Sequence, residues 1–504
     1  MENLKDILLA QHLEPQQAAA LLSPYGFKDP AGADANLQAI AGEPSDRELL
    51  ADILEELLAC VSRSADPDQA LNYLERFARA ALNRTRLFSY LKESPRMIDV
   101  LARTLGGSAY MAEILIRDPH HFYWVTDQLT LDHARKKRDI QRELVQTLRV
   151  LENERNELDY LRFFKRKEML QIGVRDLLRL CSVEETLDAL SILAETLISA
   201  AHSVCANALR SELAIPPNAF TRYAILAMGK LGGGELNFSS DVDLLYLYAA
   251  DKEETAGISA AEYFRRLSQK ITAGLNDLTA EGYVYRVDLR LRPEGMGGIA
   301  APLDGFERYY QSRLRTWERL ALLKAWPVAG NRALGAAFLE MARPFVYDLP
   351  FDDKALEEVR GMKRQIDEKM SARQQRDRNV KLGAGGIREI ELITQCIQVR
   401  HGGVIPEIRE RNTLKALSAL CKHSLMPVDE CATLTKAYTF LRDVENKLQM
   451  VNDAQTHSLP RDHEELNTCA RLLGYSGAEQ FLYDYQHHTG HVKRIFENRF
   501  SESA

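Results

Sequence analysis

No stretch of the 504-residue sequence approaches the roughly 20 consecutive apolar residues that a membrane-spanning helix needs. The first residues, Met1-Glu2-Asn3-Leu4-Lys5-Asp6, also lack the basic, apolar and small-residue order of an export signal. Both absences predict a cytoplasmic protein with no membrane partner. A surplus of positive charge is missing too: 65 Lys and Arg stand against 72 Asp and Glu, a formal charge of −7. Affinity for nucleic-acid backbones comes from such a surplus, so no nucleic-acid partner is expected and any phosphate chemistry must be local. The seven cysteines (Cys60, Cys181, Cys205, Cys396, Cys421, Cys431, Cys469) are odd in number and scattered, with no Cys-x-x-Cys. That pattern predicts reduced thiols, with neither a disulfide framework nor a zinc site. Low-complexity segments and internal repeats are lacking as well. What remains is the composition of an ordinary folded chain, 45 % apolar and 27 % charged, long enough for about three domains.

Most of the chain carries the three- and four-residue apolar spacing of helices, over 48–60, 68–84, 97–117, 137–181, 183–210, 354–372, 387–399 and 432–452. Ser182 with Glu185, and Ser259 with Glu262, have the Ser-x-x-Glu form of a capped helix start. Strand signals are confined to the middle: Tyr223 to Met228, Val242 to Tyr248, and the alternating run Tyr285 to Leu291. The expected architecture is mainly α with a central α/β unit: a helical region over 1–182, the mixed unit over 183–345, and a helical bundle over 346–504. Joints are expected in the Gly- and Pro-containing stretches Phe27 to Pro44 and Tyr347 to Asp353. The cationic runs Arg135 to Arg138 and Arg162 to Lys167 read as solvated helix faces, and Phe440, Leu441, Val444, Leu448 and Val451 as a buried stripe.

The chemistry concentrates in Gly229-Lys230-Leu231-Gly232-Gly233-Gly234-Glu235-Leu236-Asn237-Phe238-Ser239-Ser240-Asp241-Val242-Asp243. Glycines after a strand let backbone N–H groups curl around phosphate oxygens, and Ser239 and Ser240 add hydroxyl donors. The spacing is neither a Walker A loop nor a dinucleotide fingerprint. Because side chains alternate along a strand, Asp241 and Asp243 point to one face. Asp288 falls on the polar face of its strand with Arg286, Arg290 and Arg292, opposite an apolar face of Tyr283, Tyr285, Val287, Leu289 and Leu291. Three carboxylates on adjoining strands would hold two Mg²⁺ about 4 Å apart, with Mn²⁺ as the alternative ion, one at the attacking and one at the leaving oxygen of a displacement at phosphorus. The competing reading ties the aspartates to turn amides and leaves the arginines on a solvated edge.

Gly-Lys-Leu-Gly-Gly followed by Ser-Ser-Asp-Val-Asp resembles the signature of the polymerase β-like nucleotidyltransferases, and specifically of the glutamine synthetase adenylyltransferase and adenylyl-removing family. The resemblance extends from about residue 85 to about 500, through Arg286 to Pro293, Trp317-Glu318-Arg319, Leu323-Lys324-Ala325, Lys381 to Glu391, and Phe440 to Asp453. Trp326 departs from it, standing where the family is expected to have Arg. Such enzymes carry two nucleotidyltransferase units in tandem, with opposite reactions, and this chain has one. Asn237-Phe238-Ser239-Ser240-Asp241 is similar to the N-terminal, adenylyl-removing unit.

The resemblance implies phosphorolysis, as part of the control of nitrogen assimilation: inorganic phosphate attacks the adenylyl-tyrosine of glutamine synthetase, releasing ADP. It implies Asp241, Asp243 and Asp288 as metal ligands, with Asp288 also a candidate base. Gly229, Gly232, Gly233, Ser239 and Ser240 would line the phosphate pocket, with Arg290, Arg292 and Lys324 as charged donors. Lys230 is read as a charge partner or a solvated lysine, and Glu235 as a cap for the following turn. Arg388, at the helix start opened by Gly383-Ala384-Gly385-Gly386, is read as an anion site or as paired to Glu391. His487, His488 and His491 lack a completing ligand and read as a solvated helix end. The expected partners are adenylylated glutamine synthetase, inorganic phosphate, ADP or ATP, and a PII-type signalling protein. Two other readings stay open: an ATP-dependent adenylyltransferase, and a non-catalytic module that binds nucleotide and PII. No His directly precedes an Asp, so a His-Asp phosphohydrolase route is not indicated.

Overall fold

A computed structural model describes residues 3–10, 13–249, 254–293 and 298–500. The elements that position the central sheet are, in chain order, α1 (Pro30–Ala41), α2 (Arg96–Gly107), α3 (Ala109–Arg117), α4 (Glu154–Leu177), α5 (Val183–Glu212), β1 (Tyr223–Ala227), α6 (Gly229–Gly233), β2 (Val242–Tyr248), α7 (Ala260–Asn276), β3 (Val287–Asp288), β4 (Ala300–Pro302), α8 (Thr316–Leu322), β5 (Trp326–Gly330), α9 (Ile387–His401), α10 (Val428–Met450) and α11 (Ala478–Phe500). The fold is mainly α around a small mixed sheet, as the periodicities predict, with a separate two-stranded ribbon of Glu254–Thr255 and Ile258–Ser259.

Caps explain most departures from the expected boundaries. The run 97–117 is two helices because Ser108 ends α2 and accepts the Met111 N–H, starting α3. The run 137–181 is likewise broken before Asn153, whose side chain caps α4. Phe27 to Pro44, expected as a joint, contains α1: Asp29 caps it and Pro30 sits at its first position, where a missing N–H costs nothing. The run Arg162 to Lys167 is not solvated either. Arg162 is 3 % and Lys165 4 % exposed, because α4 lies inside the helical layer; Arg162 donates to the Gly274 and Asp277 carbonyls at 3.1 Å. In the run Arg135 to Arg138, Arg135 is drawn inward by ion pairs to Glu143 and Glu168. One described helix, α5, is long and apolar enough to cross a membrane, yet 72 % of that stretch is buried in the protein.

The sheet runs β3-β2-β1-β5, with β4 also paired to β2. β1 is antiparallel to β2 and β5, whereas β2 is parallel to β3, with Val242 opposite Val287 and Asp243 opposite Asp288. Period-two alternation divides two apolar cores between its faces. Tyr223, Ile225, Ala227, Val242, Leu244 and Tyr246 join the core of α2–α5 and α7. Ala224, Leu226, Leu245 and Leu247 join that of α8–α11. Asp241 and Asp243 have the parity of Leu245 and Leu247. They therefore lie where the apolar stripe facing α8–α11 gives way to polar residues.

Candidate active site

That end of β2 opens into a cavity of about 280 Å³. Its floor is Gly229, Lys230, Ser240, Asp241, Asp243 and Asp288; α8 contributes Trp317, Leu320 and Ala321; Lys381 and α9 contribute a wall with Arg388, Glu391 and Gln395. Arg290, Leu291, Lys324, Gln455 and His457 complete the lining. Trp317, Leu320, Ala321 and Lys324 are spaced i, i+3, i+4 and i+7, and Arg388, Glu391 and Gln395 are i, i+3 and i+7, so each set presents one side of its segment.

The three aspartates differ in their surroundings. Asp241 accepts from Arg286 Nε at 2.6 Å and Gln455 Nε2 at 3.0 Å. Asp288 is held by Arg290, whose Nε donates at 2.8 Å, and this hydrogen bond keeps its pKa below the ordinary carboxylate range. The Asp243 carboxylate has no hydrogen bond or ion pair among the described residues. Burial first, and then Asp288, push its pKa up to about 6, against the pull of Lys381. Gly229 adopts φ +56°, and a Cβ there would overlap Asp243 Oδ2, so the loop backbone is pressed against this carboxylate. The donor chemistry fits Mg²⁺, which takes carboxylate oxygens. Asp241 and Asp288 are each engaged by an arginine, and no group of three or more metal-type donors is gathered among the described residues.

The remaining expected residues separate into those inside the cavity and those behind it. The glycines do not form an open loop: Gly229–Gly233 is one helical turn. Gly232 and Gly233 pack away from the lining; a Cβ on Gly232 would overlap the Lys324 carbonyl, and one on Gly233 would lie 3.2 Å from the Arg411 carbonyl. Ser239 is 3 % exposed and donates to the Asp453 carbonyl at 2.9 Å. Arg292 donates to the Gly298 carbonyl. Lys324 lines the cavity, but its ammonium is buried between Glu235 at 2.7 Å and Glu391 at 3.0 Å; although burial opposes it, these carboxylates raise its pKa. Glu235 caps no nearby turn; besides Lys324, it bonds Thr413. Arg388 reaches Glu391 Oε2 at 3.3 Å while still lining the cavity. Trp326 lies outside the cavity, with the Arg411 guanidinium 4.2 Å above its ring. His488 stacks on Phe440 at 4.6 Å.

Lys230 is not a solvated lysine. Its ammonium is 2.8 Å from Glu445, and burial pushes its pKa down to about 7 against that carboxylate's pull. Glu445 belongs to a polar cluster on α10. Arg442, Glu445, Asn446 and Gln449 are 0 % exposed. Arg442 donates to Asn237 Oδ1 and the Glu235 carbonyl at 2.6 Å, Asn237 donates to Asn446 at 2.7 Å, and Ser239 N–H reaches Gln449 at 3.3 Å. The expected apolar stripe is there, with Leu441 and Val444 fully buried, but α10 is buried on its polar side as well. It clamps the glycine-serine segment from behind.

Sequence reasoning did not single out Gln395, Gln455 or His457. Gln455 and His457 follow the end of α10, outside any periodic pattern, and no signal would have found them. Lys381 and Trp317 stand inside segments that the resemblance picks out, without a role attached.

Known proteins divide the chain in a way that matches this cavity. The model of the glutamate-ammonia ligase adenylyltransferase family matches residues 98–341. Over those residues, just under half of its length, the chain is similar to that family. The GlnD PII-uridylyltransferase model matches residues 360–500, so the aspartate floor lies in one matched segment and the Lys381 and Arg388 wall in the other. Three relatives are each named bifunctional glutamine synthetase adenylyltransferase/adenylyl-removing enzyme. The one from Xanthomonas campestris pv. campestris (strain B100) is 42 % identical over 64 % of this chain and 35 % of its own. The one from Thioalkalivibrio sulfidiphilus is 37 % identical over 80 % of this chain and 42 % of its own. The one from Nitrosococcus oceani is 36 % identical over 85 % of this chain and 45 % of its own. The chain thus spans less than half the length of these curated relatives.

Proposed function

We propose that the chain is an adenylyl-removing nucleotidyltransferase that acts on adenylylated glutamine synthetase by phosphorolysis. An oxygen of inorganic phosphate attacks the adenylyl phosphorus, the bond from phosphorus to the tyrosine oxygen breaks, and ADP leaves while tyrosine takes up a proton. The observation that carries this reading is one cavity with the carboxylates of Asp241, Asp243 and Asp288 on its floor and Lys381 and Arg388 on its wall. A site that joins two phosphates needs both signs of charge: cationic donors to hold the anionic nucleophile, and oxygen ligands for divalent ions.

Asp241, Asp243 and Asp288 would hold Mg²⁺, which when bound neutralises charge on the attacking and leaving oxygens. Arg290, exposed at the mouth, meets the incoming phosphate. Asp288, kept ionised by Arg290, accepts the proton of the attacking group. Lys381, whose ammonium has no hydrogen bond or ion pair among the described residues, orients the nucleophile. Lys230 and Lys324 set the field of the pocket from fixed ion pairs. Residues 237–241, which resemble the removing unit, support the direction of the reaction, and the match over 360–500 supports a PII-type protein as regulator.

The test supplies purified synthetase in both forms. With the adenylylated form, phosphate and Mg²⁺, ADP is expected. Pyrophosphate released from ATP with the unmodified form would instead identify the forward adenylyltransferase, and no product from either form would leave a binding module.

A further inference from the structure

Gln395 is a polar residue of the cavity that the proposed chemistry does not use. It is 5 % exposed, it lines the cavity two turns along α9 from Arg388, and its amide makes no hydrogen bond among the described residues. Its Oε1 is fully buried and unpartnered. A buried carbonyl oxygen without a donor is costly, and because Gln395 lines the cavity, a turn of its terminal amide brings Oε1 to a donor that a ligand supplies. The same cavity is also lined by an apolar surface of the opposite character. Leu320 is buried, Trp317 is half-buried, and with Ala321 and Leu291 they line the same space.

Resting on the nucleotide reading above, we infer that Gln395 and Trp317 form an adenine slot, in which the ring lies against Trp317 and Leu320 and the Gln395 amide reads its edge. A side-chain amide places an acceptor beside a donor, the pair that complements the exocyclic amine and N7 of adenine. Seven residues separate Arg388 from Gln395, about 10 Å along the helix. That is the scale of a nucleoside monophosphate from its phosphate to the far edge of its base. With the phosphate end held at Lys381 and Arg388 and the ring plane set by Trp317, hypoxanthine presents a carbonyl where adenine presents its amine, and Oε1 is left without a donor. The slot therefore makes the cavity specific for adenylyl over inosinyl groups.

Equilibrium binding of ADP and inosine diphosphate with Mg²⁺, to the full chain and to Gln395→Met, tests this. The unsubstituted chain is expected to prefer ADP by about tenfold or more, and Gln395→Met, of similar shape without the amide, to bind both alike within about twofold. Quenching of tryptophan fluorescence by ADP is expected in the unsubstituted chain and lost in Trp317→Phe, with the two other tryptophans as internal reference. Equal binding of the two nucleotides by the unsubstituted chain, or a preference retained by Gln395→Met, would overturn the slot. Full quenching in Trp317→Phe would overturn the placement of the ring. Binding of neither nucleotide to the unsubstituted chain would contradict the nucleotide reading itself, which separates that failure from failure of the slot.

Discussion

The segment from Gly229 to Asp243 has two sides, and they are built on opposite rules. Behind it, α10 presents Arg442, Glu445, Asn446 and Gln449, all fully buried, and each side chain has a protein partner, with Lys230 on Glu445, Asn237 on Asn446 and Ser239 on Gln449, although Asn446 Nδ2 makes no hydrogen bond among the described residues. In front of it, Asp243, Lys381 and Gln395 face a cavity without protein partners among the described residues. A buried charge left alone is expensive, so a fold keeps such groups only where something else meets them. The clamp holds the segment in one conformation, and the cavity side is left to the ligand. Stability and function are thus expected to respond in opposite ways to substitution on the two sides.

Asp243→Asn should separate them most sharply. Phosphorolysis, read as ADP formation, is expected to fall about a thousandfold or more, while the circular dichroism spectrum is unchanged. Activity within a few-fold of the unsubstituted chain would place the chemistry elsewhere.

On the clamp side, Glu445→Ala leaves Lys230 and Arg442 buried beside a missing carboxylate. Removing one partner from such a cluster costs about 3 to 5 kcal/mol, read from the denaturant midpoint. A loss below about 1 kcal/mol, within the range of an exposed ion pair, would mean that the clamp does not hold the segment. Gly232→Ala should cost less, about 1 to 3 kcal/mol, because the new methyl meets a backbone carbonyl that cannot swing aside.

The smallest effect has the opposite sign. Without metal, folded Asp243 keeps its proton up to about pH 6, whereas the unfolded chain releases it near pH 4. Ionising it therefore costs stability as pH rises through that window, and in full above it. In chelator at pH 7, Asp243→Asn is expected to stabilise the chain by about 1 to 2 kcal/mol, a gain that fades toward pH 4. Destabilisation at pH 7 would show that the front of the segment serves the fold as much as its back does.

The same contrast sets what was legible in the sequence. Alternation placed Asp241 and Asp243 on one face of β2 and Asp288 on the polar side of its neighbour, because period two follows from the backbone alone. The opposite wall is a tertiary fact. Lys381, Gln395 and His457 lie more than 130 residues beyond β2, and only packing of α9 and the end of α10 against the sheet brings them to the aspartates. The clamp was hidden for a related reason. Arg442 and Glu445 carried no role in the sequence, and Lys230 stayed open between a charge partner and a solvated lysine, because burial of a charge depends on a partner far along the chain, and Glu445 is 215 residues from Lys230. The Asn237-Phe238-Ser239 part of the segment, which carries the resemblance to the removing unit, faces that clamp, whereas Ser240 and Asp241 face the cavity.

The most direct test of the central claim follows the label. Glutamine synthetase adenylylated with AMP carrying a radioactive α-phosphate is incubated with the chain, Mg²⁺ and unlabelled phosphate, and the released nucleotide is separated. The account predicts labelled ADP, formed only when phosphate is present and lost in Asp243→Asn. Labelled AMP, or release independent of phosphate, would contradict it.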